Sequence, residues 1–302
     1  MACYHPLKGF RGRDISANGK RPIVFNARHG FSDLPVEVPC GQCIGCRLAR
    51  SRAWAVRCVH EASLHDRNCF ITLTYSNENL PDGNSLVLKH FQDFMKRLRA
   101  KYGSGIRFLH CGEYGDVDER PHYHALLFNH DFADKVIWKK SSNVEFLIYR
   151  SASLEALWPF GHSSIGSVTW QSASYVARYV LKKMTGPNAV IYEPHMDEAT
   201  GEVYGSRIPP YITMSRRPGL AKGWFEEFSA DVFPDDFVVL LDGTKFAVPK
   251  FYDKQLDEAA LRKIKSSRVI SARRHADNNT PDRLAVREVV QEARVTQLKR
   301  GL

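Results

Sequence analysis

The chain lacks any apolar run long enough to cross a bilayer, and its opening "MACYHPLKGF" lacks the apolar stretch of a secretory signal. It has no Gly-rich loop closing in Gly-Lys-Ser/Thr, the phosphate cradle of nucleotide-driven motors, and no internal repeat. Cysteine is scarce and odd in number, seven in 302 residues. Together these absences predict an intracellular protein that does not enter membranes, with thiols that ligate metal or stay free rather than pair as disulfides.

Hydrophobic residues make up 43% and charged residues 25%, enough for one substantial core or a core domain with appendages. Acidic residues are the minority, 33 against 43 Lys and Arg, for a net charge of +10. That balance points to a polyanionic partner. From Lys254 onward there are twelve Lys or Arg against six Asp or Glu, so the C-terminal segment carries much of the surplus.

The order of patterns predicts an α+β fold. Residues 1–66 read as an irregular N-terminal module containing "CGQCIGC" and a helix over Leu48–His65. "CFITLTY" (69–75) is β-branched and aromatic and stops at a turn-prone segment, which predicts a strand. "LVLKHFQDFMKRLRAKYG" places Leu88, Phe91, Met95 and Leu98 at helical spacing and closes with Gly103. "IRFLHCGEYG" and "PHYHALLFNH" flank a polar turn as an antiparallel hairpin. A helix near Leu154–Trp158, a strand near Ser164–Trp170 and the helix "SASYVARYVLKKMTGP" follow. This order predicts a central antiparallel sheet with helices packed on one face, spanning 67–187. Residues 188–253 read as an extension packed on that core, with a hairpin at Asp242-Gly243, and 254–302 as a basic tail, helical or disordered.

Alternation along a strand puts His122 and His124 on one face, their Cα atoms roughly 6 to 7 Å apart. Such a pair is either two strand histidines with no further role or half of a metal site. If residues 114–120 form the connection, Glu113 stands close to opposite His122, and opposed residues on antiparallel strands share a face. Two imidazoles and a carboxylate with open positions suit Mn²⁺ or Mg²⁺; Zn²⁺, Co²⁺ and Fe²⁺ also fit.

Tyr175 and Tyr179 stand four apart on a helix, one above the other, and Lys183 continues the spacing. Val176, Ala177, Val180, Leu181 and Met184 form the apolar stripe, leaving the tyrosines, Arg178 and Lys182 on the other side. The plain alternative is two amphipathic packing residues. Beside an open metal site, however, two phenols suit attack on a phosphodiester. A phenol with a pKa of about 10 needs a metal to polarise the phosphate and a cation to offset developing charge.

"CFITLTY", then "GEYG" with "RPHYHALLF", then "YVARYVLKK" resemble, in order and spacing, the three motifs of the HUH endonucleases that initiate rolling-circle replication. "CYHPLKGF", "VPCGQCIGCRLARSRAWAVRCVHEA", "HCGEYG" and "MSRRPG" make the resemblance closest to the two-tyrosine initiators of gokushovirus-type microviruses, from the N-terminus to about Pro249. The resemblance implies an RRM-like HUH sheet, His122 and His124 as metal ligands with Glu113 as third, and Tyr175 and Tyr179 as alternating nucleophiles. Lys183 is then the basic helper, with Lys182 as the alternative. One tyrosine would cut a specific strand at the origin and keep the 5′ phosphate, freeing a 3′ hydroxyl to prime synthesis. The second would attack the regenerated junction and the circle would close. Religation needs no ATP because the phosphotyrosine diester keeps roughly the free energy of the broken bond. The implied partners are single-stranded and replicative-form phage DNA and, since the chain has no motor of its own, a host helicase and DNA polymerase in the bacterial cytoplasm.

Cys40, Cys43 and Cys46 are spaced like metal-knuckle ligands, and Cys3 completes a four-thiolate structural zinc site if the N-terminus folds back. Unligated thiols are the alternative. An iron–sulfur cluster fits less well, because the proline-marked cysteine of ferredoxin runs is missing. Cys58, Cys69 and Cys111 lie in apolar periodic segments and read as buried thiols. Candidate DNA contacts are Arg120, Arg178, Lys182, Arg216 and Arg217, although any one arginine alone reads as a solvated charge.

Two other classes compete. A two-histidine, one-carboxylate oxygenase would show oxygen-dependent turnover, but such sites sit on β-barrels with a further distant histidine. A noncatalytic zinc-containing DNA-binding protein would bind DNA with no cleavage for Tyr175→Phe and Tyr179→Phe to abolish.

Overall fold

The computed structural model describes residues 3–17, 19–115, 118–140, 147–182, 192, 195–196, 200–201, 203–204, 207–240 and 242–297. Two compact units account for them: residues 1–49 with 262–299, and 50–261 with 300–302.

The first unit contains β1 (Leu7–Gly12), β2 (Ile23–Val24) and β3 (Gly30–Val38), a three-stranded sheet in the order β2-β1-β3, so the N-terminal segment is not irregular as its sequence implies. Short strands interrupted by Gly, Pro and charged residues give no clean alternation there. The helix α1 (Ile44–Ser63) begins in this unit, and its residues from Arg50 onward belong to the second.

In the second unit the chain runs through β4 (Asn68–Tyr75), α2 (Leu88–Tyr102), β5 (Arg107–Tyr114), β6 (Pro121–Phe128), β7 (Val136–Lys140), β8 (Leu147–Arg150), α3 (Ala152–Leu157), β9 (Gly161–Gly166) and α4 (Trp170–Lys182). It continues through β10 (His195–Met196), β11 (Val203–Tyr204), β12 (Tyr211–Met214), α5 (Lys222–Val232), β13 (Phe237–Val239), β14 (Lys245–Ala247) and α6 (Lys250–Asp253). α7 (Glu258–Arg274) and α8 (Pro281–Thr296) make the basic C-terminal segment helical. The hairpin expected at Asp242-Gly243 is β13–β14.

Seven strands form the central sheet in the order β12-β5-β6-β4-β9-β8-β7, and every recorded pairing in it is antiparallel. Its two faces are both covered by helices, which corrects the expectation of helices on one face. Cys69, Ile71, Leu73, Tyr123, Ala125 and Leu127 pack with Phe91, Phe94, Met95 and Leu98 of α2 and with Leu154 and Leu157 of α3. Leu109, Cys111, Leu126 and Phe128 pack on the other face with Ala55 and Cys58 of α1 and Ala173, Val176 and Ala177 of α4. The run Ala125–Phe128 is apolar without alternation because each of its faces meets a helix. Each large side chain buried this way is worth about 1.5 to 3 kcal/mol over exposure.

A second correction falls at Ser164–Trp170. The strand there, β9, ends at Gly166 and Trp170 opens α4. Thr169 and Ser172 break the strand by capping each other: Ser172 Oγ accepts from the Thr169 amide at 2.8 Å, and Thr169 Oγ1 accepts from the Ser172 amide at 3.1 Å. This is a capping box with serine in the usual Glu position. The helix start that it fixes sets the position of Tyr175 one turn later.

Candidate active site

The β5–β6 hairpin places Glu113 directly opposite His122, and His124 stands between Cys111 of β5 and Thr72 of β4. Glu113, His122 and His124 therefore project from the face that α4 covers. His110, although on the same hairpin, falls on the opposite parity: its ring stacks on Phe91 of α2 at 3.4 Å between centroids, and Nδ1 lies 2.9 Å from Thr213 Oγ1.

His122 Nε2 and His124 Nε2 each lie 3.0 Å from Glu113 Oε1, and one donor atom from each of the three residues falls within 4.8 Å of the others. The orientation of both rings is set from behind. His122 Nδ1 is 3.0 Å from the Arg120 carbonyl, which can only accept, so Nδ1 carries a proton there. His124 Nδ1 is 3.0 Å from Thr72 Oγ1, whose oxygen can accept in the same way. Each neutral ring then turns an Nε2 lone pair toward a carboxylate that is only 2% exposed. Three lone-pair atoms converging in a buried place repel one another unless positive charge lies among them, whether as protons or as a cation. With protons there, burial would raise the Glu113 carboxyl, but hydrogen bonds and charge from His122 and His124 outweigh it and hold it at about 2. The donor set fits a divalent cation with nitrogen and hard oxygen ligands.

Tyr175 reaches this cluster from α4. Its hydroxyl is 3.4 Å from His124 Nε2, and its ring meets that of Phe70 edge-on at 6.2 Å. Phe70 in turn stacks on His124 at 5.6 Å. The Arg178 guanidinium lies 5.4 Å from the centre of the Tyr175 ring. Beside the cluster is a cleft of about 270 Å³ lined by Phe70, Thr72, His124, Trp138, Ser172 and Tyr175 among others.

Of the other residues that the sequence singles out, Arg120 is engaged within the protein, donating to the Tyr75 carbonyl at 2.9 Å and to Asn77 Oδ1 at 2.6 Å. Arg216 and Arg217 are exposed in the connection between β12 and α5. The backbones of Tyr179 and Lys182 belong to α4, their side chains fall outside the described residues, and Lys183 lies outside them altogether. Cys58, Cys69 and Cys111 are buried thiols, as their apolar settings imply. Sequence reasoning missed Phe70, Thr72 and Trp138. Phe70 and Thr72 share the parity of the site face in "CFITLTY", a signal that becomes readable only once β4 is known to pair with β6.

Fold and site together define a class: α+β proteins in which a carboxylate and two histidines on an antiparallel sheet face a tyrosine on a covering helix. Residues 68–184 match the family model described as replication-associated protein ORF2. The replication-associated protein VP4 of Bdellovibrio phage phiMH2K is 33% identical over 264 residues, covering 83% of this chain and 76% of that protein. Replication-associated protein ORF2 of Spiroplasma virus 4 is 32% identical over 302 residues, covering 91% and 88%. A third relative, replication-associated protein ORF4 of Chlamydia phage 1, is 36% identical over 170 residues, covering 51% and 40%. The chain belongs to this family of phage replication-associated proteins. No solved structure matches it.

Proposed function

We propose that the protein initiates phage DNA replication by cutting one strand at the origin with a tyrosine and later rejoining it. The observation that carries the reading is the Tyr175 hydroxyl, 3.4 Å from an imidazole nitrogen that is itself 3.0 Å from the Glu113 carboxylate. A phenol beside a ligand cluster suits attack on a phosphodiester held between the two.

In this reading Glu113, His122 and His124 hold a divalent cation, Mn²⁺ or Mg²⁺. When bound, it supplies Lewis-acid polarisation of a phosphate oxygen. Thr72 and the Arg120 carbonyl keep both imidazoles turned toward that position. Tyr175 Oη forms the new bond to phosphorus as the bond to the 3′ oxygen breaks, the phenol giving up its proton and the departing oxygen gaining one. The 5′ phosphate remains on the tyrosine and the 3′ hydroxyl is free to prime synthesis. Tyr179, one helical turn on, takes the second attack after a round of copying, and Lys183 offsets charge on the phosphate. Trp138 and Phe70, at the cleft, offer aromatic surfaces for unpaired bases, while Arg178, Lys182, Arg216 and Arg217 supply cations for the backbone.

The test is incubation with a single-stranded oligonucleotide carrying the phage origin and Mn²⁺, followed by a denaturing gel. A slowly migrating covalent adduct is expected with the wild type. The Tyr175→Phe/Tyr179→Phe double variant should reduce it on the order of 10⁴-fold or more. An adduct that survives in the double variant overturns the nucleophile assignment. DNA binding with no adduct in the wild type would favour the noncatalytic reading.

A further inference from the structure

The nicking reading leaves unused a second cluster, in the first unit. Cys3 stands just before β1, Cys40 and Cys43 lie between β3 and α1, and Cys46 is in the first turn of α1. Their four Sγ atoms all lie within 4.8 Å of one another. Cys3 Sγ is 3.6 Å from Cys40 Sγ and 4.0 Å from Cys43 Sγ.

Those spacings select among the things four cysteines can do. A disulfide brings its sulfurs to about 2.05 Å, far closer than either distance. Four sulfurs at about 2.3 Å from one tetrahedral zinc ion stand about 3.8 Å apart, between the two distances found. A polynuclear iron–sulfur cluster spreads its thiolates over separate irons, wider than one tetrahedron's edge.

The backbone around the sulfurs gives a second, independent indication. The amide of Cys40 points at Cys3 Sγ (3.2 Å), that of Tyr4 at Cys43 Sγ (3.3 Å), and those of Gln42 and Cys43 at Cys40 Sγ (3.5 and 3.3 Å). Gly41, with φ of 78°, makes the left-handed turn that brings the last two amides round. A neutral thiol is a weak acceptor, whereas a thiolate bound to a cation draws such donors. Cys43 also caps α1, its carbonyl accepting from the Arg47 amide at 3.0 Å, so the positive end of the helix faces the sulfurs.

We infer that Cys3, Cys40, Cys43 and Cys46 bind one zinc ion in a closed tetrathiolate site that ties the start of β1 to the start of α1. With four protein ligands the ion has no open position for substrate, so its role is to hold the fold of this unit. Cys3 and Cys40 are 37 residues apart, so the ion closes a loop around the whole β1–β3 sheet.

The test uses the full-length protein, purified without chelators. Expected are one zinc ion per chain released by a thiol-specific mercurial and, after cobalt replacement, thiolate-to-metal charge-transfer and tetrahedral ligand-field bands. The Glu113–His122–His124 cluster contains no sulfur and cannot produce the charge-transfer bands, so the two sites are read separately. Cys43→Ser should lower thiolate-bound metal at least about tenfold, and Cys43→His should retain it with weaker charge transfer. Cobalt-loaded wild type without thiolate bands, or full metal retention in Cys43→Ser, overturns the site. The visible absorption of an iron–tetrathiolate centre in the purified protein overturns the choice of zinc.

Discussion

On one face of the central sheet Tyr75, Tyr123 and His90 form a closed hydrogen-bonded set; on the other, Glu113, His122, His124 and Tyr175 meet beside a cleft. The first set is satisfied from within. Tyr75 Oη lies 2.7 Å from His90 Nδ1 and 2.8 Å from Tyr123 Oη, which accepts from the Val87 amide at 2.8 Å and donates to its carbonyl at 3.1 Å. Both phenols are fully buried, and burial raises their pKa values, which fits them to stay protonated and structural. In the second set, histidine and tyrosine recur beside a carboxylate, and two imidazole nitrogens and a carboxylate oxygen are turned toward each other. Residue type alone does not separate the two clusters. What separates them is whether the hydrogen bonds close within the cluster or leave donor atoms converging on one point.

The sharpest way to break the comparison is to close the second set artificially. In Glu113→Gln an amide of nearly the same shape can donate to the Nε2 atoms, so the cluster is satisfied without positive charge. The protein should remain folded in the absence of metal, with a melting temperature no lower than that of the wild type. Adduct formation at saturating Mn²⁺ should fall on the order of 10³-fold, because the carboxylate ligand is gone. A variant that nicks within tenfold of the wild type would exclude Glu113 as a ligand.

A smaller effect is expected from the residue behind the ligands. Thr72→Val keeps a β-branched strand residue and removes the hydroxyl 3.0 Å from His124 Nδ1. Loss of such a positioning partner typically weakens metal affinity 10- to 100-fold. The Mn²⁺ concentration giving half-maximal nicking should rise by about that factor, while the rate at saturating Mn²⁺ changes far less. A purely structural role for Thr72 would lower stability and leave the metal dependence unmoved.

The parts of this arrangement legible in sequence are those set by neighbours along the chain. Alternation puts His122 and His124 together, the polar turn brings Glu113 opposite, and 3.6-residue periodicity marks Phe91, Met95 and Leu98 on α2. Contacts between distant segments were not legible. β12 (Tyr211–Met214) adds to the sheet edge beside β5 across about a hundred residues, and its four residues carry no strong pattern of their own. β7 is exposed at all five positions, so it shows no alternation to read. The second helical layer was hidden for a related reason: Leu126 and Phe128 share the parity of the histidines, but nothing local says that α1 and α4 cover them. The approach of Cys3 to the "CGQCIGC" turn likewise spans 37 residues and follows from the sheet, not from the spacing.

The mildest expected effect on nicking, and the one that most sharpens the comparison, is at Tyr123, which sits between the two histidines on β6 and points to the opposite face. Tyr123→Phe leaves the Val87 amide and carbonyl and the Tyr75 hydroxyl without their shared partner. The cost should be about 1 to 3 kcal/mol of unfolding free energy, read from the denaturant midpoint. Adduct formation per folded molecule should stay within about twofold of wild type, because the strand register that fixes His122 and His124 depends on backbone pairing with β4 and β5 rather than on this hydroxyl. If instead nicking collapses while stability holds, the two faces are chemically coupled through β6. Tyr123 would then belong with the site, and the division drawn between a closed cluster and a convergent one would fail at the residue where it should be cleanest.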